Sequence, residues 1–164
     1  MSITVRPAVA ADYDDVARLT RAAYLHGGHL TEADAYLERL GDAAHRAEHA
    51  MLWVAELDGK VAGAVTLTLA GGPYADIARP GELEFRMLAV DPAVQRSGVG
   101  RALVRAIIDH ARNLDGIDAV SLTTGSDWWR AHRLYESLGF VHVPERDWTV
   151  PGTAIRLWVF RLEV

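Results

Sequence analysis

Residues 82–124 constrain the fold of this chain more than any other segment. They contain two predicted strands, "ELEFRMLAV", whose end is nearly all apolar, and "AVSLTT", on either side of a glycine-containing turn and a helical pattern, "SGVGRALVRAIIDHARN". Apolar runs of this length are typical of strands that are buried on both faces. Because a strand–helix–strand unit pairs its strands in parallel, the segment predicts a parallel pair inside a larger sheet.

The remaining strands and helices complete an α/β (α+β) pattern. "MLWVAEL" and "KVAGAVTLTL" flank Asp58 and Gly59, a pair of residues typical of a hairpin turn. Further strands are predicted for "ITVRP", "FVHVPERDW" and "AIRLWVFRL", and helices for residues 11–24, 32–47 and 127–138. The predicted order is β-α-α-β-β-β-α-β-α-β-β, a mixed central sheet of about seven strands with helices on both faces.

Capping residues support the three further helices. Asp12 is the predicted N-cap of the first, and Thr31 with Asp34 resembles a capping box at the start of the second. Gly139 follows the third helix, where a glycine often ends a helix. The loop at residues 70–81 is long enough to suggest a function.

Composition excludes several classes of protein. The 164 residues are half hydrophobic, which predicts one domain over residues 1–164. With no long apolar run and no apolar region at the N-terminus, we expect no membrane span, no signal peptide and a cytoplasmic setting. The absence of cysteine excludes disulfides and a cysteine acyl-enzyme, and a net charge of −5 without a basic run argues against nucleic acid.

The turn before the helix at residues 97–113 has the features of an anion site. Gly98 and Gly100 follow Gln95, Arg96 and Ser97. A helix start presents unpaired N–H groups and a partial positive charge, and glycine lets a ligand approach the backbone closely. Lys60 is the only lysine and lies beside the hairpin turn, so a Walker phosphate loop is excluded. From the pattern alone, an ordinary glycine-containing turn is an equal alternative.

Two motifs together resemble a known family. "QRSGVG" is similar to the acetyl-CoA loop of the GCN5-related N-acetyltransferases (GNAT), and "AHRLYESLGF" to the helix motif A-x-x-L-Y-x-x-x-G-F of the same family. "MLAVDP" resembles the strand end that precedes the loop. The resemblance covers most of the chain and implies a GNAT fold, acetyl-CoA as cosubstrate and transfer of an acetyl group to an amine, with no metal.

The resemblance also implies a cofactor site. Backbone N–H groups at the loop and helix start would bind the pyrophosphate, from Gln95, Arg96, Ser97, Gly98, Val99, Gly100 and Arg101. The strand end Leu88, Ala89 and Val90 would hold the pantetheine arm, with the Leu88 N–H as oxyanion donor. The family usually has an asparagine where this chain has Trp128, so that contact is lost or supplied by Ser126 or Asp127. A small Ala131 would let the arm reach Tyr135.

Tyr135 and Glu84 are the candidate catalytic residues. The resemblance places Tyr135 beside the coenzyme sulfur, where its phenol, with an ordinary pKa of about 10, can donate a proton to the departing thiolate. The alternative is a half-buried structural tyrosine. Glu84 matches the position of the glutamate that several family members use as base. Glu82, on the same face of the strand, and water are the alternatives, and either glutamate is equally well explained as a surface carboxylate.

The acceptor cleft is predicted from loop residues of several elements. Aromatic and acidic side chains suit an amine, although plain packing explains them equally: Tyr24, His26, His29, Tyr74, Asp76, Trp128, Trp129 and Trp148. The acceptor is a primary amine of a small molecule or a peptide, and a homodimer is compatible with the pattern. A non-catalytic acyl-CoA-binding or sensor module and a nucleotide-binding module are the rival functions. "HRAEH" at residues 45–49 fits a zinc motif but lacks its context.

Overall fold

The computed structural model describes residues 1–28, 30 and 34–164. In this part of the chain the elements follow one another as β1 (Ile3–Pro7), α1 (Tyr13–His26), α2 (Tyr36–Gly41), α3 (Ala43–His49), β2 (Met51–Leu57), β3 (Lys60–Leu69), β4 (Glu82–Val90), α4 (Val99–Arg112), β5 (Ala119–Gly125), α5 (Trp129–Ser137), β6 (Val141–His142), β7 (Trp148–Thr149) and β8 (Arg156–Glu163). The eight strands form a mixed, mostly antiparallel sheet. The predicted α/β class is confirmed.

Backbone contacts divide the chain into two compact units. The first unit comprises Met1–Thr68, Gly72–Tyr74 and Phe85–Ala106, and the second comprises Leu69–Gly71, Ala75–Glu84 and Ile107–Val164. β4 therefore gives its first three residues to the second unit and its remainder to the first. The prediction of one domain over residues 1–164 stays a prediction.

The strands of the first unit follow the order β1-β2-β3-β4. β1 pairs antiparallel with β2, and β2 with β3. Asp58 and Gly59 connect β2 to β3 with positive φ angles of 51° and 85°. This is the geometry of a tight hairpin turn, so the hairpin predicted from these two residues is confirmed.

Helices cover both faces of the sheet in the first unit. On one face, Val16 and Leu19 of α1 pack in one core cluster with Val54 and Ala64 of the sheet. On the other face, a Cβ atom at Gly63 would lie within 3.1 Å of side-chain atoms of both Val99 and Leu103 in α4. Because successive residues of a strand point to opposite faces, Gly63 lets α4 approach the sheet closely.

Over residues 34–47, the described part of the helix predicted at residues 32–47, the structure has two helices, and the single-helix prediction was wrong. α2 ends at Gly41, and α3 begins after Asp42, whose carboxylate accepts a hydrogen bond from the N–H of His45. Arg46 of α3, only 1% exposed, donates to the carbonyls of Arg39 and Leu40 at the end of α2. Arg46 thus caps the end of α2 and Asp42 caps the start of α3, and both contacts stabilise the break between the two helices.

The start of α1 also differs from the prediction. Asp12 occupies the N-cap position but caps no helical N–H with its side chain. Its carboxylate accepts from Arg6, at 2.7 Å, and from the N–H of Val9. The hydrogen bonds from Arg6 favour the charged carboxylate and outweigh the effect of burial, so they lower the pKa of Asp12. The charge-assisted bond to Arg6 takes the place of a capping bond. The predicted capping residue Thr31 lies outside the described residues.

The second unit contains β5, β6, β7, β8 and the start of β4. β5 pairs antiparallel with β8 along seven residues, from Ala119 opposite Glu163 to Gly125 opposite Leu157. The carbonyl of Gly81, just before β4, accepts from the N–H groups of Asp118 and Ala119. Because β4 and β5 start side by side, they run in the same direction, which agrees with the predicted parallel pair.

The late strand predicted at residues 140–148 is interrupted. β6 and β7 each have two residues, and both pair with β8. Between them Pro144 opens a 3-10 turn that ends at Arg146. Proline lacks the N–H that a continuous strand would use, so the sheet contains eight strands instead of the predicted seven. α5 ends as predicted before Gly139, whose φ is 96°.

Candidate functional site

The loop after β4 is fixed at its first residue. The N–H of Asp91 donates to the carbonyl of Ala62, at 2.8 Å, and the Asp91 carboxylate accepts from the N–H of Ala93 and from Arg18. A 3-10 turn over Pro92–Val94 follows. The loop then reaches α4 through Arg96 and Gly98, which have φ angles of 67° and 91°.

This backbone leaves a row of donors without acceptors. In the described part of the chain, the N–H groups of residues 95–98 make no hydrogen bond with protein, and the buried Ser97 hydroxyl also lacks a partner. Left-handed residues next to other conformations turn successive N–H groups into an anion-binding concavity. The fourteen-residue α4 adds its positive end. The residues predicted from Gln95 to Arg101 therefore fit a pyrophosphate.

The end of β4 contains a strained residue that the sequence did not indicate. Met87 has a φ of 55°, an unfavourable angle for a side chain of this size. Arg86 and Met87 both contact the cluster around Tyr74, although successive strand residues normally point to opposite faces. The irregularity directly precedes Leu88, the predicted oxyanion donor, and Ala89 and Val90 complete the strand.

Glu84 lies fully buried in the second unit, with 0% of its surface exposed. Its Oε1 atom accepts hydrogen bonds from the N–H groups of Asp76, Ile77 and Ala78 at 3.0–3.1 Å. The predicted base is thus also the anchor of the loop before β4. Nothing in the sequence alone pairs Glu84 with residues 76–78.

Glu82 has a different environment. Arg146 donates two hydrogen bonds to its carboxylate at 2.8 and 3.0 Å, and Arg161 and the N–H of Arg79 donate one each. Burial alone would raise the pKa of Glu82, but these donors outweigh it and lower the pKa to about 2. A carboxylate with this pKa is a weak base at neutral pH.

Tyr135 is buried in α5 and 5% exposed. Its ring packs against Phe140 and Phe160, with centroids 6.0 and 6.1 Å away. Burial raises the pKa of Tyr135 above the ordinary value of 10.0, so its phenol keeps the proton at neutral pH. This is the protonation state that a general acid needs.

Trp128, which stands where the family usually has an asparagine, lies against Gly125 at the end of β5. Trp128 directly precedes α5, and a Cβ atom at Gly125 would collide with its indole ring. Gly125 therefore gives the ring its space at the end of β5. The N–H of Ser126 donates to the carbonyl of Arg156, and Ala131 is half-buried on the same helix as Tyr135.

The residues predicted for the acceptor cleft fall in both units. In the first unit, Tyr24 and Tyr74 belong to one apolar cluster, and His26 ends α1. In the second unit, Asp76 and Trp129 are exposed, and the buried indole N–H of Trp148 has no hydrogen-bond partner among the described residues. His29 lies outside the described residues.

Sequence reasoning missed the polar groups around Tyr74. Arg86 donates to the Tyr74 carbonyl at 2.8 Å and to the Tyr36 hydroxyl at 3.3 Å. Nδ1 of His45 lies 2.6 Å from the Tyr74 hydroxyl, and the Arg39 guanidinium lies 5.1 Å from the Tyr74 ring centre. The available signal for Arg86 was a charged residue directly before the apolar end "MLAV" of the strand.

The two histidines of the motif at residues 45–49 lie side by side on α3. The His45 and His49 rings are 4.2 Å apart, and Nδ1 of His45 already contacts Tyr74. Over the described residues, no group of three or more His, Asp or Glu side chains is placed to hold a metal ion. In residues 1–28, 30 and 34–164, no helix has the length and apolar character needed to cross a membrane.

Comparisons with known proteins agree with the fold and identify the family. The sequence model described as "Acetyltransferase (GNAT) family" matches residues 13–140. N-acetylaspartate synthetase from Danio rerio is 40% identical over 101 residues, covering 61% of this chain and 33% of that protein. Human N-acetyltransferase 8 is 38% identical over 88 residues, covering 54% of this chain and 37% of that protein. The chain thus spans about a third of the length of the curated relatives it matches.

Solved structures show the same fold over nearly the whole chain. The structure of yncA from Salmonella typhimurium, with its cofactor acetyl-CoA, has a TM-score of 0.71 at 25% identity and covers 99% of this chain and 94% of that one. PaiA N-acetyltransferase from Thermoplasma acidophilum, in complex with coenzyme A, has a TM-score of 0.77 at 14% identity and covers both chains fully, 100% of each.

Proposed function

This chain belongs to the acetyltransferase (GNAT) family, and from this premise we propose that it transfers an acetyl group from acetyl-CoA to a primary amine of a small molecule or peptide. The transfer is direct, in a ternary complex. The amine nitrogen forms the new bond to the acetyl carbon, the carbon–sulfur bond breaks, and the released thiolate takes up a proton. The observation that carries the proposal is the row of N–H groups at residues 95–98, which have no acceptor among the residues that the structure describes.

The loop and the start of α4 bind the pyrophosphate of acetyl-CoA in this proposal. Gly98 adopts the left-handed backbone that the loop requires, and Gly100 keeps the first turn of α4 open to the phosphate oxygens. The Leu88 N–H, after the strained Met87, donates to the acetyl carbonyl oxygen. Acetyl-CoA supplies the activated thioester, and binding by the chain supplies its orientation.

Tyr135 supplies the proton to the thiolate. Burial raises the pKa of Tyr135, so the phenol is protonated across the neutral pH range. A general acid of this kind typically accelerates a reaction about 10²- to 10⁴-fold. Ala131, one turn earlier on α5, leaves space beside the same stripe of the helix.

Glu84 is the proposed base that takes the proton of the amine, directly or through water. Glu82 is the weaker choice, because two arginines hold its carboxylate and its pKa is lowered to about 2. Glu84 is held by backbone N–H groups instead, which carry no full charge. Water alone is the remaining alternative.

The acceptor is proposed only by class. The name of the relatives, N-acetylaspartate synthetase, refers to the acetylated amine of an amino acid, which supports a small acceptor. The cluster of Tyr36, Tyr74 and Arg86 offers polar groups beside β4 for such a molecule. We further propose a cytoplasmic setting and no metal requirement.

Tyr135→Phe tests the proposal, because it keeps the ring and removes the transferable proton. We expect kcat to fall about 100-fold with little change in acetyl-CoA affinity, since the phenol acts only as negative charge develops on sulfur. Initial-rate kinetics against an amine panel and calorimetry with acetyl-CoA measure the two effects. Tyr13→Phe, at a half-buried tyrosine of α1, is the matched control.

Three results would contradict the proposal. Wild-type kcat in Tyr135→Phe, measured where chemistry limits the rate, would move the proton source to water. Parallel lines in double-reciprocal plots with a trapped acetyl-enzyme would replace direct transfer by a covalent route. Tight acetyl-CoA binding without acetylation of any amine would favour the sensor module.

A further inference from the structure

The second unit contains a pocket of about 310 Å³ that the proposed acetyl transfer does not use. Its volume lies at the lower end of the range of about 300–1,000 Å³ in which proteins bind small molecules. Three arginines and three acidic residues line it: Arg79, Glu82, Asp118, Glu145, Arg146 and Arg161. The six formal charges cancel, but they are not evenly distributed.

The inner part of the pocket has an excess of positive charge. Glu82 is 4% exposed, and the side chain of its bidentate partner Arg146 is 7% exposed. Arg161 donates to the same carboxylate at 3.0 Å. Among the residues that line the pocket, the two guanidinium groups share one buried carboxylate, which leaves a net charge of about +1 in its least exposed part; the second acid on Arg161, Glu163, is 85% exposed and lies outside the lining.

The mouth of the pocket has the opposite excess. Arg79, Asp118 and Glu145 are all exposed, and the Asp118 side chain is 81% exposed. In the described part of the chain, the side chains of Arg79 and Glu145 have no hydrogen bond or ion pair. One arginine and two acids give the mouth a net charge of about −1, so the pocket is dipolar.

The inner arginines keep donors for a ligand. A guanidinium has five N–H groups. Arg161 uses two, on Glu82 and on Glu163, and its Nη2 atom is 3.9 Å from Asp118, too far for a hydrogen bond. Arg146 uses three, on Glu82 and the carbonyl of Ile77. An incoming carboxylate can therefore bind without breaking the Glu82 ion pairs.

We propose that this pocket binds a small zwitterion of the amino-acid class, with its carboxylate on Arg161 and Arg146 and its ammonium group between Asp118 and Glu145. A simple dianion such as phosphate fits less well, because the acids at the mouth repel it. A simple amine fits less well, because the inner arginines repel it. Neither the loop residues 95–101 nor Tyr135 and Glu84 line the pocket; of the residues considered for acetyl transfer only Glu82, the weaker choice of base, does.

Calorimetry on the full chain tests the zwitterion site with L-alanine as the probe. We expect saturable binding of L-alanine, and binding of acetate, methylamine and inorganic phosphate that is at least about tenfold weaker, since each lacks one of the two matching charges. Arg161→Gln should weaken L-alanine binding more than about tenfold and Glu145→Gln about threefold, whereas Arg79→Gln, which removes a positive charge near the ammonium group, should not weaken it. Arg133→Gln and Glu136→Gln, at exposed positions of α5, are the matched controls.

Substitutions at the mouth of the pocket test the zwitterion site without disturbing folding or the binding of the amine acceptor. Arg161→Gln removes a partner of buried Glu82, whereas Arg79→Gln and Glu145→Gln remove no described side-chain contact. The KM of the amine acceptor should stay unchanged in both mouth variants. The proposal is overturned by the absence of saturable L-alanine binding, by phosphate binding more tightly than L-alanine, or by wild-type L-alanine affinity in Glu145→Gln.

Discussion

The loop before β4 and the loop after it use their backbone N–H groups in opposite ways. Before the strand, the N–H groups of Asp76, Ile77 and Ala78 donate to the buried carboxylate of Glu84, and that of Arg79 donates to Glu82. After the strand, the N–H groups of residues 95–98 have no acceptor in the described part of the chain. Both loops present consecutive donors, but only the first has its anion within the protein.

The difference separates a structural anion site from a ligand site. Consecutive N–H groups bind an oxyanion whether it is a side-chain carboxylate or a phosphate. Where the chain supplies the carboxylate, the interaction forms on folding and contributes to stability. Where it supplies none, the donors are available for a ligand. Substitutions around the first loop should therefore change the free energy of unfolding, and substitutions in the second should change ligand affinity.

Glu84→Ala should have the largest effect, because it removes the acceptor of three N–H groups. We expect the free energy of unfolding to fall by about 3–5 kcal/mol, measured by urea unfolding. Glu84→Gln keeps one acceptor oxygen, so its loss should be only about 1 kcal/mol. If Glu84 is also the base, Glu84→Gln should still lower kcat about 100-fold.

The glutamine variant thus separates the anchor from the base. Glu136→Gln, at an exposed position of α5, controls for the loss of a charge and should change neither quantity. Wild-type kcat in Glu84→Gln would leave Glu84 as an anchor alone and assign the proton to water. Unchanged stability in Glu84→Ala would contradict the anchor itself.

Local signals in the sequence predicted the loop after β4 but not the one before it. Gly98 precedes a strongly periodic helix, and Asp58-Gly59 fixes a hairpin, because both depend on backbone angles that neighbouring residues determine. The partners of Glu84 depend on how residues 76–78 fold back on the strand. No periodicity or capping pattern in the sequence contains that information.

The break at Asp42 and the positive φ of Met87 were missed in the sequence for the same reason, because both depend on contacts that no local pattern shows. Residues 32–47 have helical periodicity, but Arg46 donates to carbonyls six and seven residues earlier and stabilises a break at Asp42. Met87 takes a positive φ in a stretch that reads as a regular strand. Such strain persists only where surrounding packing holds it, so a single sequence does not show it.

Substitution of Glu82 should have the second-largest effect on the free energy of unfolding, and this effect should depend on pH. Its pKa is lowered from 4.5 to about 2 in the folded protein, so its ion pairs contribute stability above about pH 4.5, and this contribution is lost as the pH falls towards 2. The shift corresponds to about 3 kcal/mol. Urea unfolding at several pH values should therefore show Glu82→Gln about 3 kcal/mol less stable at pH 7, with a difference that shrinks below pH 4.5.

The neighbouring acid on Arg161 provides the control for this pH dependence. Glu163 is 85% exposed and accepts from Arg161 at 3.4 Å. Exposed pairs contribute little, so Glu163→Gln should change the free energy of unfolding by less than about 0.5 kcal/mol at any pH. A wild-type-like Glu82→Gln, or a difference that grows on acidification, would contradict the assignment of the low pKa to Glu82.

Gly100→Val should have the smallest effect on free energy of these variants. The effect should be on acetyl-CoA binding and not on the free energy of unfolding. Gly100 lies in the first turn of α4, where valine adopts helical angles at a cost below about 1 kcal/mol, so the unfolding midpoint should stay close to the wild-type value. Its side chain would project where the pyrophosphate approaches the helix start, and we expect acetyl-CoA affinity to fall at least about tenfold, or about 1.4 kcal/mol.

Asp109→Val, at an exposed position of α4, is the control: it adds a β-branched residue away from the loop and should bind acetyl-CoA normally. Unchanged acetyl-CoA affinity in Gly100→Val would mean that the unpaired donors after β4 do not hold the pyrophosphate, and the contrast between the two loops would then concern stability alone.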